Sequence, residues 1–205
     1  MKQAVIFAGA PVQPELQPPV PQADLYVCAD AGVKLAQALG VVPDWIVGDF
    51  DSLGCVPEGE NVEPFSPIKD DTDILLAAKY ALSKGCRRLV FYGALGGRLD
   101  HTVANLQMLR FLADRGAHGI LVDHAHWITL QRGGTAVYPR REGMYFSLFA
   151  MTEQCEDVTL EGVAYPLCHG TFSNAFPLGV SNEILAENAA VTVGKGDLLV
   201  VYAKD

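Results

Sequence analysis

Few basic residues, no long apolar run and no internal repeat characterise this sequence of 205 residues. Fifteen lysines and arginines stand against 24 aspartates and glutamates, which gives a net charge of −9. A protein that binds nucleic acid through its phosphates needs a basic face, so that class is disfavoured. No apolar run reaches the roughly 18 residues that a membrane-spanning helix needs. We therefore expect neither a nucleic-acid partner nor a membrane partner.

The cysteines do not form the pattern of a disulfide framework or a zinc site. They are odd in number, widely spaced and without a Cys-x-x-Cys pair: Cys28, Cys55, Cys86, Cys155 and Cys168. Thiols in this pattern are typical of a protein in a reducing compartment. The prediction is a cytoplasmic protein whose thiols are free.

Apolar runs alternate with helical patterns in the first half of the chain. Strands are predicted at 3–9, 24–30, 44–49, 88–92 and 119–123, and helices at 33–39, 71–84 and 99–115. The last helix is expected to bury Val103, Leu106, Leu109 and Leu112. Such alternation indicates an α/β domain with a mostly parallel sheet, Rossmann-like and three-layered, over residues 1–125.

The second half has a different pattern, without a long helical segment. Short strand-like runs occur at 127–130, 135–138, 145–149, 158–160, 189–193 and 198–202. They are separated by glycine, proline and charged turns, which is typical of a small antiparallel sandwich or barrel. We expect an all-β domain over residues 126–205.

Acidic side chains collect where the predicted strands of the first half end. Asp30 follows the second strand, Asp49 and Asp51 follow the third, and 69–73 (KDDTD) precedes a helix. The carboxyl ends of parallel strands meet at one edge of a sheet, so these loops should converge. Clustered carboxylates repel one another unless a cation lies among them, and Mg²⁺ accepts a few carboxylates together with phosphate oxygens.

A second group of residues is suited to phosphate. Gly96 and Gly97 precede the helix at 99–115, whose exposed amides and positive end favour an anion. Arg98 and Lys69 supply positive charge of the kind that phosphoryl transfer needs. His101 and Asn105 lie one helical turn apart, and we expect both to line the same pocket.

Each of these motifs also has a purely structural interpretation. Asp71, Thr72 or Asp73 would serve as a helix cap. The glycine pair and the acidic pair at 49–51 both occur in ordinary turns. A histidine near a helix start is more often structural than catalytic. The functional interpretation is favoured only because the motifs occur together at strand ends.

Five segments, in the same order along the chain, resemble those of the thiamine pyrophosphokinase family. They are Ala29-Asp30-Ala31-Gly32, 43–52 (PDWIVGDFDS), 69–73 (KDDTD), 96–101 (GGRLDH) with Asn105, and Tyr165-Pro166-Leu167 with Val180-Ser181-Asn182-Glu183. The resemblance implies a nucleotide-binding α/β domain followed by a β-sandwich that binds thiamine and dimerises. It also implies a homodimer with active sites between subunits.

The implied reaction transfers the pyrophosphoryl group of Mg·ATP to the hydroxyethyl oxygen of thiamine, giving thiamine diphosphate and AMP. By the resemblance, Asp49, Asp51 and Asp73 would bind Mg²⁺ with support from Asp30. Lys69, Arg98 and Asp100 would organise the reacting phosphates, and Ser181 and Asn182 would help to form the thiamine pocket. Asp73 and Asp100 are both candidates to accept the proton of the attacking alcohol.

One position departs from the family pattern, and two other functions are compatible with parts of the sequence. Ala31 replaces a glycine, which would destabilise the loop if a positive φ or a close backbone approach is required there. The apolar strand-like run that ends in Asp49-Phe50-Asp51 also resembles the Asp-x-Asp motif of the haloacid-dehalogenase phosphatases. In a phosphatase of that type, Asp49 would be the nucleophile. A nucleotide-sensing module without turnover is the third interpretation.

Overall fold

The computed structural model describes residues 1–48, 61–64 and 71–205 of the chain. The chain divides into two compact units, Met1–His124 and Ala125–Asp205. The first is α/β and the second is all-β.

The first unit is built on a parallel sheet. Its strand order is β6-β5-β1-β2-β3-β4, and each neighbouring pair is parallel. The strands are β1 (Gln3–Phe7), β2 (Leu25–Ala29), β3 (Trp45–Gly48), β4 (Val62–Pro64), β5 (Arg88–Tyr92) and β6 (His118–Val122). The central strands are almost fully buried, as expected for a parallel sheet covered by other elements.

In the described part of the first unit, three α-helices connect these strands: α1 (Gly32–Ala38), α2 (Asp73–Ser83) and α3 (Leu99–Ala113). Each helix and strand predicted for the first half of the chain agrees with these bounds to within two residues over the described part of the chain. Strand β4 was not predicted. Helix α1 contacts β1 and β2, α2 contacts β1 to β3, and α3 contacts β6.

The predicted buried face of α3 is wrong in two positions. Leu109 and Leu112 are buried, but Val103 is 48% exposed and Leu106 is only half-buried. The helix buries Asn105 and Met108 instead. The physical reason is a hydrogen bond of 2.8 Å from Asn105 Nδ2 to the Ala94 carbonyl, which favours turning that polar residue inward.

The second unit is formed by two sheets that share one long, bent hairpin. Strands β7 (His126–Pro139) and β12 (Asn188–Ala203) pair along their whole length, with an irregularity between Val193 and Asp197. The first part of β12 pairs with β9 (Gln154–Glu161), and its last part pairs with β8 (Tyr145–Ala150). Strand β10 (Leu167–Ser173) extends the first sheet, and β11 (Gly179–Asn182) extends the second.

The sequence patterns predicted four short strands where the structure has these two long ones. Gly133 and Gly134 have φ values of 55° and 67°, and Gly196 has a φ of 106°. These glycines were expected to end strands, but they let a continuous hairpin bend from one sheet into the other. Strands β10 and β11 were not anticipated.

The core of the second unit is aromatic and aliphatic. Tyr138, Phe146, Phe172 and Tyr202 are buried in it together with valines and leucines of both sheets. The cysteines in the described ranges are free thiols, with Cys28, Cys86 and Cys155 buried and Cys168 exposed. Across residues 1–48, 61–64 and 71–205, no helix has the length and apolar character to cross a membrane.

Candidate active site

A cavity of about 450 Å³ opens in the first unit, where β1, β2 and β5 end and where α2 and α3 begin. Its walls are mostly small residues, which leave room for a ligand to approach the backbone. Those walls comprise Ala8, Gly9, Ala10, Pro11, Ala29, Asp30, Ala31, Thr72, Asp73, Ile74, Gly93, Ala94, Gly97, Arg98, His101, Thr102 and Asn105. The carboxyl end of a parallel sheet is the usual ligand site of such folds.

The start of α2 brings a carboxylate to this cavity. Thr72 is the helix cap, because its side chain accepts a hydrogen bond of 3.3 Å from the Leu75 N–H. Asp71 forms an ion pair with Lys79, with 2.6 Å between Oδ2 and Nζ. Asp73 is the first helical residue, and it lines the cavity. Thr72 therefore caps the helix, and Asp73 lies at the cavity.

The turn between β5 and α3 is fixed by close contacts. Gly93 has a φ of 65°, and a Cβ there would lie 2.2 Å from the Ala8 carbonyl oxygen, so only glycine fits. The Asn105 amide holds the Ala94 carbonyl one residue further on. Gly97 lines the cavity directly, whereas Gly96, with a φ of 83°, shapes the turn before it.

Arg98 and Asp100 form a bidentate ion pair at the start of α3. Arg98 Nη2 lies 2.5 Å from Asp100 Oδ2, and Nε lies 3.1 Å from Oδ1. The Arg98 hydrogen bond lowers the pKa of Asp100, and the His101 N–H acts in the same direction. Arg98 lines the cavity, and Asp100 holds it in place from outside the cavity lining. His101 and Asn105 line this same cavity, as predicted from their spacing.

The loop after β2 explains why alanine is accepted at position 31. Ala31 has an ordinary helical φ of −60°, and Asp30 instead takes the positive φ of 46°. A Cβ on Gly9 would lie 2.9 Å from the Ala31 methyl group, so the small residue is needed on the opposite wall. The destabilisation that alanine would cause at a positive φ is therefore absent, because the Ala31 backbone is unstrained.

Three predicted site residues lie outside the described residues: Asp49, Asp51 and Lys69. Among the residues that are described, no three metal-ligating side chains form a group that could hold a metal ion. Asp30 and Asp73 both line the cavity, and their oxygen atoms are the donors that Mg²⁺ prefers.

The two predicted thiamine residues lie in the second unit. Ser181 is exposed, with a φ of 57°. Asn182 is buried, and its amide is engaged by the backbone: Oδ1 accepts from Tyr165 and Glu183, and Nδ2 donates to the Tyr165 carbonyl. Asn182 therefore fixes Tyr165, which is 71% exposed, and does not itself present a free amide.

Several cavity residues were not anticipated from the sequence. The wall formed by Ala8, Gly9, Ala10 and Pro11 follows β1 and leads into a proline-rich segment at residues 10–22. The run of small residues there was the available indication. Thr102 lies one turn beyond Arg98 and carried no motif of its own.

A parallel sheet with a cavity at its strand ends, two helix N-termini and an arginine at the rim is the arrangement typical of α/β proteins that bind phosphorylated ligands. Comparison with known proteins makes this specific. Residues 17–121 match the model described as thiamin pyrophosphokinase, catalytic domain, and residues 129–198 match the thiamin pyrophosphokinase vitamin B1 binding domain. The chain belongs to the thiamine pyrophosphokinase family.

Individual relatives agree with the family match. The thiamine pyrophosphokinase of Bacillus subtilis (strain 168) is 30% identical over 217 residues, covering 100% of both chains. The crystal structure of a thiamine pyrophosphokinase from Bacillus subtilis has a TM-score of 0.87 at 27% identity, again covering 100% of both chains. The Geobacillus thermodenitrificans structure has a TM-score of 0.84 at 28% identity and covers 100% of this chain and 98% of its own. The chain is thus an enzyme of the thiamine diphosphokinase type, and neither the phosphatase nor the sensing module is favoured.

Proposed function

We propose that the chain transfers the pyrophosphoryl group of Mg·ATP to the hydroxyethyl oxygen of thiamine, with the cavity of the first unit as the ATP site. The observation that carries this assignment is the convergence of Asp30, Asp73 and Arg98 on one cavity at the strand ends. These residues come from three separate segments of the chain, and their convergence on one cavity supports a shared ligand.

The triphosphate is proposed to lie against the start of α3. Gly96 and Gly97 supply a turn without side chains, and the positive end of a 15-residue helix attracts an anion. Arg98 lines the cavity there and would neutralise phosphate charge, with Asp100 holding its guanidinium. Lys69 is proposed to add a second cation, and His101 and Asn105 to complete the nucleotide pocket.

Mg²⁺ is the proposed cofactor, bound by Asp49, Asp51 and Asp73 with Asp30 in support. When bound, such an ion neutralises the charge of neighbouring phosphates and orients them for attack. In support, Asp30 and Asp73 supply oxygen donors to the same cavity.

The chemical step requires a primary alcohol to attack the β-phosphorus in line with the departing AMP. Positioning and charge neutralisation supply most of the acceleration in such reactions. Asp73 is the better candidate to accept the alcohol proton, because Asp73 lines the cavity, whereas Asp100 lies outside its lining and is paired with Arg98.

Thiamine is proposed to bind at Ser181 in the second unit, with Asn182 holding the adjacent backbone.

We also infer a homodimer whose active sites lie between subunits, a cytoplasmic location, and a three-layer, Rossmann-like arrangement for the first unit. The dimer is supported by the family and by exposed apolar side chains around Ser181, among them Leu178 and Val180.

The direct test is incubation with ATP, Mg²⁺ and thiamine while AMP and thiamine diphosphate are quantified together. We expect equal amounts of the two products, and no AMP when thiamine is omitted. Phosphate release without thiamine would indicate the phosphatase instead. ATP binding with no AMP formed would indicate the sensing module.

A further inference from the structure

Strand β11 is irregular beside Ser181. Gly179 pairs with Leu148 of β8, and Asn182 pairs with Phe146. Between these pairs, Val180 and Ser181 lie opposite Ser147 alone. Two residues opposite one is a β-bulge, which redirects a side chain at the edge of a sheet.

The Ser147 hydroxyl holds this bulge. Ser147 is only 7% exposed, and its Oγ accepts a hydrogen bond of 2.9 Å from the Ser181 N–H. Ser181 has a φ of 57°, which residues other than glycine rarely adopt. The hydroxyl thus supplies the acceptor for an N–H that the bulge has shifted out of the regular ladder.

The chain on the other side of Ser181 is fixed as well. The Asn182 amide binds the backbone of Tyr165 and of Glu183 at 2.9–3.0 Å. With Ser147 on one side and Asn182 on the other, the Ser181 backbone is held in an unusual conformation while its side chain stays exposed.

The same unit contains a second bulge of the same construction. Leu160 pairs with Leu167 and Val158 with Gly170, so that Thr159 faces two residues of β10. The Thr159 Oγ1 accepts a hydrogen bond of 3.2 Å from the His169 N–H, and His169 has a φ of 50°. This second bulge contains neither Ser181 nor Asn182, so it provides a matched control.

We propose that Ser147 is a positioning residue of the thiamine site, because its buried hydroxyl fixes the backbone that presents Ser181. This inference rests on the proposed function, in which Ser181 contacts thiamine. It predicts that removal of the hydroxyl weakens the use of thiamine and leaves the use of ATP unchanged.

The test is steady-state kinetics of the full chain carrying Ser147→Ala, with thiamine and ATP varied separately. We expect the KM for thiamine to rise about tenfold, as for one lost positioning hydrogen bond, while the KM for ATP and kcat change less than about twofold. Ser147→Thr retains the hydroxyl, so its KM for thiamine should stay near that of the unaltered chain. The control Thr159→Val should lower the unfolding temperature without changing either KM.

The outcomes separate the two claims. If Ser181→Ala raises the KM for thiamine and Ser147→Ala does not, the positioning role is overturned and the proposed function stands. If the unaltered chain makes no thiamine diphosphate, both are overturned.

Should Ser147→Ala fail to fold, Ser147→Cys keeps the side-chain volume with a weaker acceptor: a raised KM for thiamine supports the role, and an unchanged KM overturns it. In either variant, faster amide exchange of Ser181 reports the lost bond independently of turnover.

Discussion

Three neighbouring polar residues at the start of α2 have three different roles. Thr72 caps the helix, Asp71 pairs with Lys79 on its surface, and Asp73 faces the cavity. Both residue types, aspartate and threonine, favour caps, so the sequence alone could not choose among the three positions. The choice is made by backbone geometry, since Thr72 has the extended conformation of a cap, with φ −73° and ψ 154°, and Asp73 already belongs to the helix.

These roles make Asp73 the residue most sensitive to loss of charge. We expect Asp73→Asn to lower kcat at least about 100-fold, because the group acts on charge that develops in the transition state. Asp71→Asn is the matched control and should leave kcat nearly unchanged, because that carboxylate contacts Lys79. Asp51→Asn should resemble Asp73→Asn, and near-normal rates in both would refute the carboxylate assignments.

Gly9 and Ala31 form a complementary pair on the cavity wall. Gly9→Ala should lower the free energy of unfolding by about 1–2 kcal/mol, because the new methyl group would lie 2.9 Å from the Ala31 Cβ. The double variant Gly9→Ala/Ala31→Gly should recover most of that loss, as measured by chemical denaturation. Strictly additive losses would show that the two methyl groups do not meet.

At the scale of the elements, strand β5 anchors the proline-rich segment at residues 10–22, which forms part of the cavity wall. Tyr92 is buried, and its hydroxyl donates a hydrogen bond of 3.0 Å to the Pro19 carbonyl. Burial raises the pKa of Tyr92 to about 12, so the hydroxyl stays protonated and able to donate. Ala10 and Pro11, at the start of the same segment, line the cavity.

We therefore expect Tyr92→Phe to raise the KM for ATP several-fold, because the segment loses its anchor beside the ATP site. The KM for thiamine should not change. Tyr138→Phe removes another buried hydroxyl, one that donates to Gln131 in the second unit, and should leave the KM for ATP unaltered. Equal effects of the two variants would mean that general destabilisation is being measured.

An ion pair beside the bend in β12 joins this strand to β7. Asp197 is 4% exposed, and Arg132 binds both of its oxygens at 2.6 and 2.8 Å. Arg132→Met should lower the free energy of unfolding by about 2 kcal/mol, less than for a fully buried pair because the arginine is partly exposed. Lys195→Met removes the exposed pair with Glu156 and should cause no measurable loss. Similar losses would contradict the role of burial.

Most helices and strands could be predicted because their apolar spacing is local information. The exceptions have a common cause, which is that distant residues decide them. Gly133 and Gly196 bend a hairpin instead of ending strands because each long strand has a partner on both sides of the bend. Asn105 is buried because the Ala94 carbonyl is there to accept its amide.

For the whole molecule, stability should depend on pH through His118. Burial lowers the pKa of His118, and the positive charge of Arg88 adds to the effect. The unfolded chain takes up this proton near the ordinary value of 6.5, and the folded chain does so only at a lower pH. Folding therefore loses stability as the pH falls below about 6.5, until His118 is protonated in the folded state as well.

His118→Asn should remove this contribution. Its free energy of unfolding should decrease less than that of the unaltered chain between pH 7 and pH 5, as followed by denaturant titration at each pH. Parallel decreases in the two proteins would show that His118 titrates alike in the folded and unfolded chain.

At the same scale, the cavity could be anticipated from sequence because its polar residues follow strands of one parallel sheet. Asp30, Asp73, Arg98, His101 and Asn105 all reach the same cavity. What the sequence could not show is which of them touch a ligand. Asp100 and Asn182 carry motif positions, yet one is engaged by Arg98 and the other by the backbone of Tyr165.

The most direct test of the acidic site is a crystal structure with Mn²⁺ and α,β-methylene ATP, in which the bond to be broken cannot be cleaved. We predict an anomalous peak in the cavity of the first unit, coordinated by Asp73 together with Asp49 or Asp51 and by oxygens of two adjacent phosphates. An ion bound only to the nucleotide, with these carboxylates turned away from it, would contradict the assignment.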